Sequence, residues 1–184
     1  MPNNTQLSKS TTVDTYKDLE ASEDRDAIAA FLKERFTERY ITPILSAGEK
    51  QHGFCIMAVC CLMIEALESF YQGLPDTKGM REAPFIKFFE RNSELFGFQD
   101  SKVNFYANIR CGILHQAETK GGWRIWNVGP LLDAKKKTIN AKEFLRVVQL
   151  ALTSYCDSLR TSDWDSKLWQ DFKSKMAAVC ANTL

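Results

Sequence analysis

The sequence predicts a mainly α-helical bundle with a small β-hairpin inserted before its last two helices, and three observations predict it. Apolar residues recur at three- and four-residue spacing through most of the chain. Ser, Asp, Asn, Gly and Pro stand where helices would start and stop. One stretch, Trp123 to Val128 (WRIWNV), has the aromatic and β-branched make-up of a strand. The 184 residues are 45% hydrophobic and 26% charged, the balance of a globular domain rather than a disordered or fibrous chain. A chain of this size buries roughly 70% of the surface its unfolded form exposes, so a core needs no disulfides.

Residues 1–22 are polar, rich in Ser and Thr, and too poor in apolar side chains to offset their ordering entropy. They are expected to be a flexible N-terminal tail ending at a cap near Ser22, and they lack the basic start and apolar run of a signal peptide. Residues 23–184 are expected to form a single helical domain. Its first helix, about Glu23 to Ile41, aligns Ile28, Phe31, Leu32, Phe36 and Tyr40 on one face, and Pro43 and Gly48 punctuate its end. The second, about Lys50 to Gln72, is apolar on most sides and belongs at the centre of the core. Its unbroken apolar run, Phe54 to Ile64, is shorter than the roughly 18 residues of a membrane span, so no membrane partner is expected.

The third helix, about Pro84 to Leu95, begins with proline at a favoured early position. Ser101 is the expected N-cap of a fourth helix running to about Gln116, with Gly121 and Gly122 turning the chain after it. The Trp123–Val128 strand follows, broken by Gly129 and Pro130, and a second strand includes Thr138 and Ile139. Asn140 caps a fifth helix, with Glu143 placed for a capping box and Phe144, Leu145, Val148 and Leu152 facing inward. Asp163 is expected to cap the last helix, with the stripe Trp164, Leu168, Phe172, Met176 and Val179.

Chemistry-bearing residues are few. Cys55, Cys60, Cys61, Cys111, Cys156 and Cys180 lie mostly in apolar helical stretches and read as small buried hydrophobes in a reducing cytosol. No CxxC pair occurs and the only histidines are His52 and His115, so neither a metal centre nor a cofactor is expected. The net charge of +1 hides an uneven distribution. From Lys102 to Arg146 there are nine basic residues against three acidic ones, a surplus of six that leaves −5 for the rest of the chain. Such a local surplus suits phosphate binding by Lys120, Arg124, Lys135 and Lys136; a solvated turn would explain Lys135 to Lys137 equally well. Trp123 and Trp126 fit either base stacking or ordinary packing.

The fourth helix holds the densest information. On a regular helix Asn104, Asn108 and Cys111 fall within about 40° of His115, whereas Arg110 lies about 140° away on the apolar side. A buried guanidinium requires a partner, and Glu65, which interrupts the apolar second helix, is the best candidate. The pair reads either as a clamp between two helices or as part of a site. Gly112, costly inside a helix, points to a bend or to the close approach of another backbone, which a second copy of the chain would supply.

Arg110, four intervening residues and His115 (RCGILH), late in a helix that follows a long apolar helix and precedes HQAETKGGW, resemble the HEPN domains over about Lys50 to Leu159. That resemblance implies a metal-independent endoribonuclease, a cytoplasmic homodimer in which antiparallel helices bring both Arg/His sets into one cleft. It also implies a role as toxin or phage-defence effector, with an antitoxin or other regulatory protein as a partner. In it His115 is the general acid/base for attack of the RNA 2′-hydroxyl, and Arg110 stabilises the phosphoryl oxygens. Asn104 and Asn108 would position phosphate or ribose, and Glu65 and Cys111 would orient the catalytic pair. Cys111 stands where the family often has a polar Asn, Asp or His, a departure that favours the alternative of a non-catalytic module binding RNA, nucleotide or protein. A purely structural Arg110–Glu65 clamp in a helical interaction protein is the third reading.

Overall fold

A computed structural model describes residues 4–46 and 52–182; Gly48 and the expected start of the second helix at Lys50 lie outside them. The described chain is mainly helical, with one small sheet ahead of its last two helices. It divides into two compact units: Met1–Pro43, Ser69–Asp76 and Leu152–Leu184 make the first, and Ile44–Glu68 with Thr77–Ala151 the second. Helices α4 (Gly53–Tyr71) and α7 (Ala141–Thr161) contribute residues to both.

In the first unit residues 4–22 of the expected tail are folded. Thr12 accepts the Thr15 N–H at 3.1 Å and opens helix α1 (Val13–Ala21), and Leu7, Val13 and Tyr16 are buried. The Leu7 carbonyl accepts from Arg35 and, at 2.8 Å, from Arg39, while the Ser8 and Ser10 hydroxyls donate to Glu34. Few apolar residues suffice because side chains of the next helix satisfy the segment's polar groups. Ser22 closes α1, and Asp24 caps α2 (Arg25–Phe36), which continues through a π turn (Thr37–Ile41) into the single turn α3 (Thr42–Leu45). Ile28, Phe31, Leu32 and Phe36 are buried on the face the periodicity marks. The last helix, α8 (Lys167–Ala181), is capped by Ser166 rather than Asp163, which moves its buried stripe to Trp169, Phe172, Met176 and Cys180. Phe172 stacks on Phe70 with ring centres 5.5 Å apart.

In the second unit α4 buries Ile56, Met57, Cys60, Cys61, Met63, Ile64 and Leu67, and burial pushes the Cys60 and Cys61 thiols far above their ordinary pKa, as inert packing residues. At 19 residues α4 is long and apolar enough to match a membrane span in length and composition, and 56% of its most apolar window is buried inside the protein. Helix α5 (Ala83–Arg91) ends where Asn92 leaves helical geometry, and a 3₁₀ stretch (Ser93–Gln99) replaces the expected continuation to Leu95. Phe85, Phe89, Phe98, Phe105 and Phe144 form one ring cluster, with neighbouring centres 5.1 to 5.7 Å apart.

The sheet differs from the expected hairpin. Strand β1 (Arg124–Trp126) pairs in parallel with β3 (Thr138–Asn140), Ile125 opposite Ile139. The hairpin is made instead by β2 (Leu132–Asp133) and β3, with Leu132 opposite Ile139, giving the order β1-β3-β2. Asn140 fixes this path: its N–H donates to the Leu131 carbonyl at 3.1 Å and its side-chain amide to the Gly129 carbonyl at 2.7 Å. Its Oδ1 accepts from the N–H groups of Lys142 and Glu143, the expected cap of α7. The reciprocal half of the capping box is replaced by an ion pair from Glu143 to Arg146.

Candidate active site

The motif helix begins later than the sequence suggests. Asp100 holds Ser101 in a turn by accepting the Lys102 N–H at 2.8 Å, and the cap is Asn104, in the left-handed region at φ +42°, whose side chain accepts the Ala107 N–H at 3.4 Å. The segment Tyr106–Arg110 is a π turn, in which the Cys111 N–H reaches back five residues to the Tyr106 carbonyl, and helix α6 (Cys111–Gln116) completes it. A π turn inserts one residue into the spiral, so residues before it lose phase with those after it. The Asn104–Asn108–His115 stripe drawn on a regular helix is broken for that reason.

The helix ends at Ala117, left-handed at φ +55°, and the chain folds back on it. A Cβ on Gly112 would lie 2.5 Å from the Glu118 carbonyl oxygen and 3.1 Å from the Thr119 Cα. Gly112 therefore admits a second backbone, as its cost in a helix suggests, but that backbone is the chain's own return turn. Asn108 ties this turn down: its carbonyl accepts the Lys120 N–H at 2.8 Å, and its side-chain amide donates to the Val103 carbonyl at 2.9 Å.

Arg110 is the centre of the site. Its Nε donates to Glu65 Oε1 at 3.0 Å, its Nη1 lies 3.3 Å from His115 Nε2, and its guanidinium carbon sits 5.5 Å from the centre of the Tyr106 ring. The two residues that a helical wheel places about 140° apart thus meet within one chain. The long arginine side chain bends along the helix, held by the carboxylate and the imidazole. A guanidinium only donates, so this contact uses an unprotonated Nε2 as acceptor. Burial works against the charge of Arg110, but the hydrogen bond and charge of Glu65 outweigh it and hold the guanidinium above its ordinary pKa. Burial, followed by the Cys111 thiol, raises the Tyr106 phenol. The side chains of Arg110 and Glu65 are 20% and 21% exposed, and His115 is exposed on the last turn.

Arg110, His115, Glu65 and Cys111 are therefore brought together, with the Cys111 thiol in hydrogen-bond reach of Tyr106 and Arg110. Asn104 and Asn108 serve the helix instead, one as its cap and the other as the tie to the return turn. The basic residues form a separate exposed group. The Arg124 guanidinium lies 5.4 Å from the Trp126 ring centre and donates to the Lys136 carbonyl, Lys136 pairs with Asp133 at 3.5 Å, and Lys135 is exposed. Lys137 donates to the Gly121 carbonyl at 2.8 Å, beside exposed Lys120, which joins this group to the return turn of the motif helix. Trp123 is buried in packing, whereas Trp126 is 44% exposed. Sequence reasoning does not single out Tyr106; its place four residues before Arg110 is the available signal.

Among the described residues no three His, Cys, Asp or Glu side chains converge as metal ligands. Comparison with models of known protein families, with curated proteins and with solved structures finds no match in any of the three.

Proposed function

We propose that the chain is a metal-independent endoribonuclease of the HEPN type, acting as a homodimer in the cytoplasm. The observation that carries this reading is the Arg110–His115 contact: a guanidinium and an imidazole side by side at an exposed helix end, the guanidinium steadied from behind by Glu65. In the reaction, His115 accepts the proton of an RNA 2′-hydroxyl, whose oxygen bonds to the adjacent phosphorus. The bond from phosphorus to the 5′-oxygen breaks, and that oxygen takes a proton from the His115 imidazolium, giving a 2′,3′-cyclic phosphate and a 5′-hydroxyl end and restoring the neutral ring. Arg110 donates to the phosphoryl oxygens as negative charge grows on them. The exposed basic group of Lys120, Arg124, Lys135 and Lys136 would hold the flanking backbone.

A second copy is favoured by the apolar side chains that α4 and α6 leave open beside this site: Leu62, one turn from Glu65, is 46% exposed, and Leu114, next to His115, is 38% exposed. A role as toxin or phage-defence effector, restrained by an antitoxin or regulatory protein, accords with the resemblance. The second reading, a non-catalytic module that binds RNA, nucleotide or protein, is favoured by the pairing of Arg110 with Glu65, which already engages part of its charge. Incubation of mixed RNA with purified protein in excess EDTA separates them. Cleavage by the native chain and by neither His115→Ala nor Arg110→Ala supports the nuclease. Three inert proteins, of which the native one still retards RNA on a gel, support the binding module.

A further inference from the structure

Beside the catalytic pair the second unit holds a cavity of about 290 Å³ that the reaction above does not use. Phe85 from the ring cluster and Tyr106 give it aromatic surface, and Ile86, 46% exposed, forms an outer wall. Its lining also includes Glu82, Gln99 and Asp100, with one oxygen of Asp100 accepting the Lys102 N–H and Glu82 beside Arg81, which leaves the second Asp100 oxygen as the acceptor for a ligand. Tyr106 belongs to both places: it lines the cavity, and its ring centre is 5.5 Å from the Arg110 guanidinium carbon. An occupant of the cavity would therefore share the Tyr106 ring with Arg110.

The chemistry of the lining narrows the occupant. An acidic lining with no basic side chain in it disfavours a phosphate, while aromatic side chains suit a flat ring. The size is at the lower end of ligand pockets, which run from roughly 300 to 1,000 Å³, so it holds one ring system rather than a stretch of chain. Carboxylates accept hydrogen bonds and donate none, so they favour guanine, whose N1–H and amino group donate side by side, over uracil, whose single N3–H stands between two carbonyls.

We propose that this cavity receives the nucleobase adjoining the scissile phosphate and selects amino-bearing bases, guanine first, over uracil. The place of the base in the reaction rests on the ribonuclease reading; the selectivity of the cavity is tested apart from it. Native protein is titrated with guanosine and uridine 5′-monophosphates by NMR, and cleavage of mixed RNA is mapped in parallel. The expected result is guanosine monophosphate binding about five- to tenfold tighter than the uridine nucleotide, the worth of one good hydrogen bond. Ile86→Trp, at an exposed position that tolerates change, removes binding of both, and Asp100→Asn narrows the difference. Equal binding of the two nucleotides, or native-like binding by Ile86→Trp, overturns the proposal. Selective binding without any cleavage would refute the nuclease and leave the cavity standing. Cleavage at all bases alike by native protein and Ile86→Trp would do the reverse.

Discussion

Glu65 and Glu68 lie one turn apart on α4, and each holds an arginine from elsewhere in the second unit, yet the two pairs do different work. The Glu68 side chain is fully buried, and Arg91, 36% exposed, donates to it and to the Lys87 carbonyl of its own helix. Glu65 is 21% exposed, and Arg110 gives it Nε while Nη1 turns to His115. A carboxylate without access to water needs its cation for the fold to persist, whereas a part-exposed carboxylate can be solvated when its partner is lost. What separates a clamp from a site is therefore the destination of the remaining guanidinium donors, not the ion pair itself.

The largest effect should come from the clamp. Arg91→Ala is expected to cost about 3 kcal/mol in urea unfolding, because it removes the cation that is paired with a fully buried carboxylate. Gly112→Ala should follow at about 2 kcal/mol, since its methyl group meets backbone that cannot rotate away, and it should also reduce RNA cleavage by displacing the turn behind His115. Arg110→Ala should cost under about 1 kcal/mol, as part-exposed pairs do, while cleavage disappears. A loss as large as that of Arg91→Ala would erase the distinction and make Arg110 a second clamp.

Glu34 in the first unit extends the comparison to a carboxylate held by two serine hydroxyls and the Ser10 N–H, with no ion pair of its own among the described residues. The Ser10 and then the Ser8 hydroxyl keep its pKa below the ordinary range. A depressed folded value means that its stabilisation is present above the unfolded pKa and is lost as pH falls through the folded one. Amide exchange at Leu7 to Thr11 should thus accelerate in acid below the usual carboxylate range. Ser8→Ala combined with Ser10→Ala should weaken that dependence, leaving the part due to the Ser10 N–H and the Lys9 charge, the smallest effect of the four.

Sequence was most informative where structure is local. The Ile28, Phe31, Leu32 and Phe36 face of α2, the apolar character of α4 and the Asn140 cap of α7 depend on neighbours within a few residues and are found as read, whereas Tyr40 falls in the π turn and is half-buried. The N-terminal segment was misjudged because its order comes from Arg35, Arg39 and Glu34, far along the chain, rather than from its own composition. The parallel pairing of β1 with β3 was illegible for the same reason, as nothing inside WRIWNV names its neighbour. At the site, Arg110 and Glu65 stood out as charges interrupting apolar helices. The π turn left no comparable mark, so the two asparagines were placed on a stripe that the spiral does not keep.

One surplus residue between Phe105 and Cys111 also sets how this region can change over time. Dropping any single position from it would restore an even pitch but swing everything upstream by about 100° relative to His115. Phe105 would leave its ring cluster and Tyr106 would slide from beneath Arg110. Exchanges of side chain there keep the pitch whatever they do to the chemistry; a lost codon does not, and a chain aligned without that extra residue would have its asparagines and aromatics matched out of frame.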